Sequence, residues 1–177
     1  MGKEIYLDNS ATTKPYKDVV DVMVEMFVDN YGNPSSLHKK GIEAERAIKK
    51  SRETIARILD IRSSELFFTS GGTESNNIAL RGITLAHRRR GRHLITTTIE
   101  HPSVLNTFKF LEEKGYRVSY LPVDAQGIIS LEQLEDEICD DTILVSIMHV
   151  NNETGAIQPI EEVRRILNIK GSKAFFH

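Results

Sequence analysis

The sequence predicts an α/β protein with a mainly parallel sheet and helices on both faces. Three observations carry that prediction. Helical and extended segments alternate along the chain, and a repeated β-α order needs crossovers between parallel strands. The run Thr142 to Val150, TILVSIMHV, is almost continuously apolar, as a strand covered on both faces must be. Polar or glycine-rich clusters follow the extended segments, where open parallel sheets place their ligands.

The elements follow in order. Pro15 can open a helix whose apolar positions are Val19, Val22, Met23, Met26 and Phe27. A polar loop, Tyr31-Gly32-Asn33-Pro34-Ser35-Ser36, separates it from a long amphipathic helix carrying Ala44, Ala47, Ile48, Ile55, Ile58 and Leu59. A short strand, Leu66 to Thr69, is broken by Ser70-Gly71-Gly72. A helix then runs from about Thr73 to Arg90. The basic cluster from His87 to His93 suits the negative end of that helix, with Gly91 at C′. The strand His93–Thr98 leads into Ile99-Glu100-His101-Pro102. A helix from about Ser103 ends at Gly115, and a strand follows through Val118 to Leu121. Ser130 and Gln133 have capping-box spacing for a short helix. The strand from Thr142 ends at Asn151-Asn152-Glu153-Thr154-Gly155. Pro159 opens a helix through about Asn168, and a last strand stops at His177.

Bulk properties narrow the function. At 177 residues one domain is the default, and its core needs no disulfide or metal. A formal net charge of −2 advertises neither nucleic acid nor an anionic membrane as partner. The single cysteine, Cys139, excludes an internal disulfide and suits a reducing cytosol. It lies between Glu135-Asp136-Glu137 and Asp140-Asp141, whose charge disfavours a thiolate, so it reads as non-catalytic. The amino terminus lacks the apolar stretch of a secretory signal. Met1-Gly2 begins like a myristoylation site, but Tyr6 takes the Ser/Thr position. No run spans a bilayer. The expectation is a soluble, cytoplasmic protein.

Three strand ends offer chemistry. Ser70-Gly71-Gly72-Thr73-Glu74-Ser75 allows close backbone approach, and the helix behind it presents unpaired amides, a phosphate cradle in physical terms. It is neither a Walker loop nor GxGxxG. An ordinary strand-to-helix turn capped by Ser or Thr is the alternative. At Glu100-His101-Pro102, the proline biases His101 toward extended backbone. The ring can then stack on a flat ligand or shuttle protons; a half-buried structural histidine is the alternative. At His149 to Gly155, two adjacent amides can donate to a ligand oxygen and accept from an amine, or form an Asx turn. His149 and Glu153 do not make a metal pair, because no third ligand is evident.

Together these segments resemble the cysteine desulfurases of the NifS/IscS type, pyridoxal-phosphate enzymes of the class-V aminotransferase-like group. The resemblance rests on Tyr6 to Thr13; on Gly32-Asn33-Pro34-Ser35-Ser36 with His38 and Gly41; on Phe68 to Ser75; on Glu100-His101; and on Leu144 to Glu153. It covers essentially the whole chain. It implies the first half of the large domain of an aspartate aminotransferase-like fold, with 1–14 in the small domain and 15–177 an incomplete cofactor domain. It implies that Gly72 and Thr73 hold the cofactor phosphate, a position where the family usually has alanine or another small residue at 72. It implies that His101 stacks on the pyridine ring and assists proton transfer, and that Asn152 lines the cofactor and substrate side of the pocket. No metal is implied.

The activity implied is removal of sulfur from L-cysteine, giving L-alanine and an enzyme persulfide. The sulfur passes to an acceptor or scaffold protein for iron–sulfur cluster assembly or thiolation. Family members are usually homodimers. The cofactor-anchoring lysine, the aspartate that pairs with the pyridine nitrogen and the nucleophilic cysteine of the family have no counterpart here. The expectation is an amino-terminal portion, inactive alone and poor at retaining cofactor. A selenocysteine lyase, an aminotransferase and a non-catalytic truncated paralogue acting as a binding partner are the alternatives.

Overall fold

A computed structural model describes residues 4–177, so the Met1-Gly2 start lies outside the described residues. The chain divides into two units, Met1–Phe68 and Thr69–His177.

In the first unit, helix α1 (Lys17–Val28) is capped by the extended Tyr16. Pro15 therefore precedes the cap instead of taking the first helical position. No residue of α1 is buried, and Val19, Val22, Met23 and Phe27 stay exposed. Helix α2 (Lys39–Ile58) starts at His38, whose Nδ1 accepts from the Gly41 amide at 3.3 Å. The Gly-Asn-Pro-Ser-Ser segment folds against that start. Asn33 Oδ1 accepts from the Ser35 amide at 2.9 Å, and its carbonyl from Ser36 at 3.0 Å. A Cβ on Gly41 would collide with the carbonyls of Asn33 and Ser36, so close approach requires glycine there. The expected strand at Leu66–Thr69 does not form. A 3-10 turn at Ser63–Glu65 takes its approach, and Leu66 is extended but unladdered. A strand exists only through a hydrogen-bonded neighbour, and no described residue supplies one; Phe67 remains 76% exposed.

The second unit is a four-stranded sheet in the order β2-β1-β3-β4. The strands are β1 (His93–Thr97), β2 (Arg117–Leu121), β3 (Thr142–Ser146) and β4 (Phe175–Phe176), and every pairing is parallel. Helices α3 (Gly72–His87), α4 (Pro102–Glu113), α5 (Leu131–Glu137) and α6 (Ile160–Ile169) connect and cover them. Side-chain alternation builds two cores. Ile95, Leu121 and Val145 pack on Leu134 of α5 and on Val163 and Leu167 of α6. Leu94, Ile143 and Leu144 pack on Leu80 of α3 and on Val104 and Phe108 of α4. An irregularity in the β1–β3 register between His93 and Leu94 lets the adjacent Ile143 and Leu144 serve one face. Each of these side chains contributes about 1.5–3 kcal/mol by leaving water.

The apolar run that begins at Thr142 stays in the ladder only to Ser146. Beyond that it parts from β1, while the Ile147 amide still donates to the His177 carbonyl at 3.0 Å, and an antiparallel bridge between Val150 and Ile157 closes the turn that follows. Helix α3 ends at His87 with Arg88 as C-cap, so Gly91 is not its C′ residue. Gly91 serves a different need: a Cβ there would run into the Asp141 carbonyl and the Ile143 side chain. Gly91→Ala is expected to cost roughly 2 kcal/mol through overpacking, read as a lowered urea midpoint with an unchanged slope.

A buried polar network occupies the amino-terminal end of the sheet. His93 is fully buried. Its Nε2 meets Ser119 Oγ at 2.9 Å and its Nδ1 meets Thr142 Oγ1 at 2.8 Å. The Ser119 hydroxyl donates to Glu137, so Ser119 accepts from His93, which puts the proton on Nε2. Burial, aided by the Arg117 charge, lowers the His93 pKa to about 4. Cys139 sits beside this network. Burial opposes its thiolate, but the Thr142 hydroxyl, the Asp141 amide and the Arg117 guanidinium outweigh that and lower the thiol pKa. Flanking carboxylates alone predict the opposite direction; the Arg117 contact, 3.2 Å from Sγ, is invisible in local sequence.

Candidate functional site

The carboxyl ends of β1, β3 and β4 open onto one hollow of about 430 Å³, lined among others by Asn76, Glu100, His101, Met148, His149 and His177. From β1 the chain proceeds to β2 on one side and then to β3 on the other. The β1–β3 crevice is thus the topological switch point of the sheet, where ligands of open α/β sheets bind.

His101 is fixed by its own backbone. It is the N-cap of α4, with Pro102 following, and its Nδ1 accepts from the Ser103 amide at 3.1 Å. The Ser103 hydroxyl is 2.8 Å from the same nitrogen and accepts from Asn76 Nδ2 at 2.8 Å. With Nδ1 committed as acceptor, the neutral ring carries its proton on Nε2. The Asn76–Ser103 bond and the Thr107 Oγ1 to Asn77 Oδ1 bond at 3.1 Å tie the amino-terminal halves of α3 and α4 together.

Gly72 and Thr73 form the first turn of α3 behind the N-cap Gly71. The turn is braced from outside. Glu74 Oε2 accepts from the Ser70 amide at 2.6 Å, and Thr69 Oγ1 lies 2.7 Å from Ser75 Oγ. That amide holds the exposed Glu74 carboxyl below its ordinary pKa. The amides of Gly72 and Thr73 have no acceptor within the helix. A Cβ built on Gly72 meets no atom within 4 Å, so the space over this helix start is open.

The asparagine pair divides its labour. Asn151 is buried; its Oδ1 accepts from the amides of Glu153 and Thr154, both at 2.9 Å, and its Nδ2 donates to the Ile99 carbonyl at 3.0 Å. It makes the Asx turn. Asn152 is exposed at the next position and is not among the residues lining the hollow. Among the described residues no cluster of histidine, cysteine or carboxylates could hold a metal.

Three contributors escaped the sequence reading. Asn76 lies one helical turn after Gly72, so helical spacing could have placed it. Glu100 is 6% exposed, against the strong tendency of glutamate to stay at the surface. Burial raises its pKa, partly offset by hydrogen bonds from Met148 and Thr97. His177 packs its Nδ1 2.9 Å from Ser146 Oγ, and burial lowers its pKa.

Residues 5–177 match the class-V aminotransferase family. The chain belongs to that family. Over 177 residues the class-V chain is 44% identical to a cysteine desulfurase IscS of Clostridium botulinum (strain Kyoto / Type A2), covering 100% of itself and 44% of that relative. It superposes on a solved NifS-like protein with a TM-score of 0.92 at 45% identity, covering 99% of itself and 48% of that chain. A solved SspA in complex with cysteine gives a TM-score of 0.86 at 42% identity, covering 97% of this chain and 49% of that one. The class-V chain therefore spans a little under half the length of these relatives.

Class-V enzymes of this kind depend on pyridoxal phosphate, and the residues present fit that group. An open helix start with unpaired amides suits a phosphate ester. A histidine with its orientation fixed by the α4 cap lines a hollow of about 430 Å³, room enough for a flat ring.

Proposed function

We propose that the protein to which this chain contributes is a cysteine desulfurase, releasing L-alanine from L-cysteine and leaving the sulfur as an enzyme persulfide for an acceptor or scaffold protein. The observation that carries the reading is the switch-point hollow, where the cap-fixed His101 is tied by Asn76 and Ser103 to the helix that begins at Gly72. Relatives named for this activity support it. The neighbour solved with cysteine supports an amino-acid ligand of that kind.

When bound, pyridoxal phosphate supplies an electron sink for the amino acid. In this reading the amides and hydroxyl at Gly72 and Thr73 bind its phosphate. His101 would pack against the ring and would hold or release a proton at Nε2, because Nδ1 is already committed. Asn152, outside the hollow of this chain, would line the substrate side of the assembled pocket, while Asn151 holds the turn. Residues 1–14 belong to the small domain and 15–177 to the cofactor domain. The protein works as a cytoplasmic homodimer; among the described residues no helix is long and apolar enough to cross a membrane.

The test is to express the open reading frame that encodes these residues, load it with pyridoxal phosphate and supply L-cysteine. Equimolar alanine and reducible sulfur are expected, and His101→Ala should slow their release about 10²- to 10⁴-fold. Turnover of selenocysteine alone, or amino transfer to an oxo acid, would replace this reading by another class-V activity.

A further inference from the structure

The parallel ladder between β1 and β3 ends at the pair Thr96 and Ser146. Past it the strands must part to open the crevice. Parting strands leave backbone donors without their ladder acceptors, and a buried amide without a partner is costly. Here three side-chain bonds replace the lost ladder, two of them crossing from one segment to the other. Glu100 Oε1 accepts from the Met148 amide at 2.7 Å and from the Thr97 hydroxyl at 3.1 Å. In return, Asn151 Nδ2 donates to the Ile99 carbonyl at 3.0 Å. Adjacent residues of the segment after β1 thus bond across the crevice to the segment after β3.

We propose that Glu100 is a positioning residue: its carboxylate clasps the two segments that carry His101 and Asn152, and so sets the width of the cofactor crevice. The inference rests on the desulfurase reading for what the crevice binds, and on geometry alone for the clasp. Glu100 is flanked by His101 in sequence, and Asn152 follows the Asn151 end of the clasp. A shift in either segment moves a site residue directly. Both groups that Glu100 engages are donors, so the role needs an acceptor oxygen and not a charge. Glutamine can fill it; alanine and the shorter aspartate cannot reach.

The test compares Glu100→Gln, Glu100→Asp and Glu100→Ala in the 177-residue chain by amide hydrogen exchange and by ¹⁵N shifts of the His101 ring. Glutamine should keep the Met148 amide protected and the His101 signals in place. Alanine and aspartate should speed Met148 exchange roughly tenfold or more, the equivalent of one lost hydrogen bond, and move the His101 and Asn152 signals. In the longer protein, pyridoxal phosphate affinity should fall about tenfold for alanine and be kept by glutamine. The clasp is overturned if Glu100→Gln exchanges at Met148 as fast as Glu100→Ala. It is overturned equally if alanine accelerates all sheet amides alike while the His101 and Asn152 signals stay fixed. Should Glu100→Ala not fold, the glutamine and aspartate pair decides alone. A longer protein that binds no pyridoxal phosphate would sink the desulfurase reading and leave the exchange result standing.

Discussion

Replacing Asn151 with alanine is expected to destabilise the protein by about 3 kcal/mol, while replacing its neighbour Asn152 should cost less than about 1 kcal/mol. The contrast comes from what each side chain holds. Asn151 is 6% exposed and serves three backbone groups: the amides of Glu153 and Thr154 and the carbonyl of Ile99. Alanine offers none of these bonds, and the buried position of Asn151 keeps water from replacing all three. A chain of this size should then melt roughly 6–12 °C lower. Asn152 is exposed, and water can take over at a surface position, so its replacement costs the fold little. In the longer protein it should instead weaken substrate or cofactor handling. Thermal unfolding of the two variants side by side separates the roles. Equal destabilisation would show that the doublet is one structural unit and would remove Asn152 from the proposed pocket.

Lowering the pH from 6.5 to 4 is expected to remove up to roughly 3 kcal/mol of stability through His93 alone. The folded pKa is depressed to about 4, from an ordinary 6.5. Between those values the unfolded chain binds a proton that the folded chain refuses. Unfolding therefore takes up protons, and stability falls as pH falls through the window. The groups around the ring are Ser119, Thr142, Cys139, Glu137, Arg117 and Asp141. Burial and Arg117 oppose protonation, and together they outweigh the two carboxylates. His177, also lowered by burial, adds to the trend. Glu100 works the other way. Its raised pKa gives a contribution that is full below the ordinary carboxylate value and lost as pH rises through the folded one. Urea unfolding of wild type and His93→Gln at several pH values isolates the histidine. The variant should be less stable at pH 7.5 yet show a flatter slope between 6.5 and 4. Parallel slopes would assign the acid sensitivity elsewhere.

Much of the fold was legible because it depends on local pattern. The amphipathic period of α2, the Ser130 cap of α5 and the apolar run at Thr142 each survive in the structure. What failed depended on partners distant in sequence. Leu66–Thr69 has strand composition but no neighbour to pair with. Gly91 looked like a helix terminator because it follows a basic helix end; its reason is the Asp141 backbone pressed against it. The β1–β3 ladder stops at Thr96 and Ser146, and beyond it Glu100 and Asn151 take over the bonding between those two segments. The same division holds at the site. A histidine before a proline after a strand is readable as a residue at the carboxyl end of the sheet, where the hollow lies. Its tautomer is not, since that follows from Ser103 and Asn76, which reach it only through the packing of α3 on α4.

The all-parallel order β2-β1-β3-β4 also governs how the chain can reach this state. No two strands are joined by a hairpin. The central strand β1 pairs His93 with Arg117 on one side and Leu94 with Leu144 on the other, so each ladder waits for a whole helical crossover to close. Loop-closure entropy must be met before any sheet bond rewards it, which slows folding relative to a hairpin protein of equal stability. During synthesis β1 emerges ahead of both its partners. Until they follow, its apolar faces stand open to the helices α3 and α4 and to any other chain nearby, and the early docking of those two helices over Leu94 becomes the step that keeps the nascent protein from aggregating.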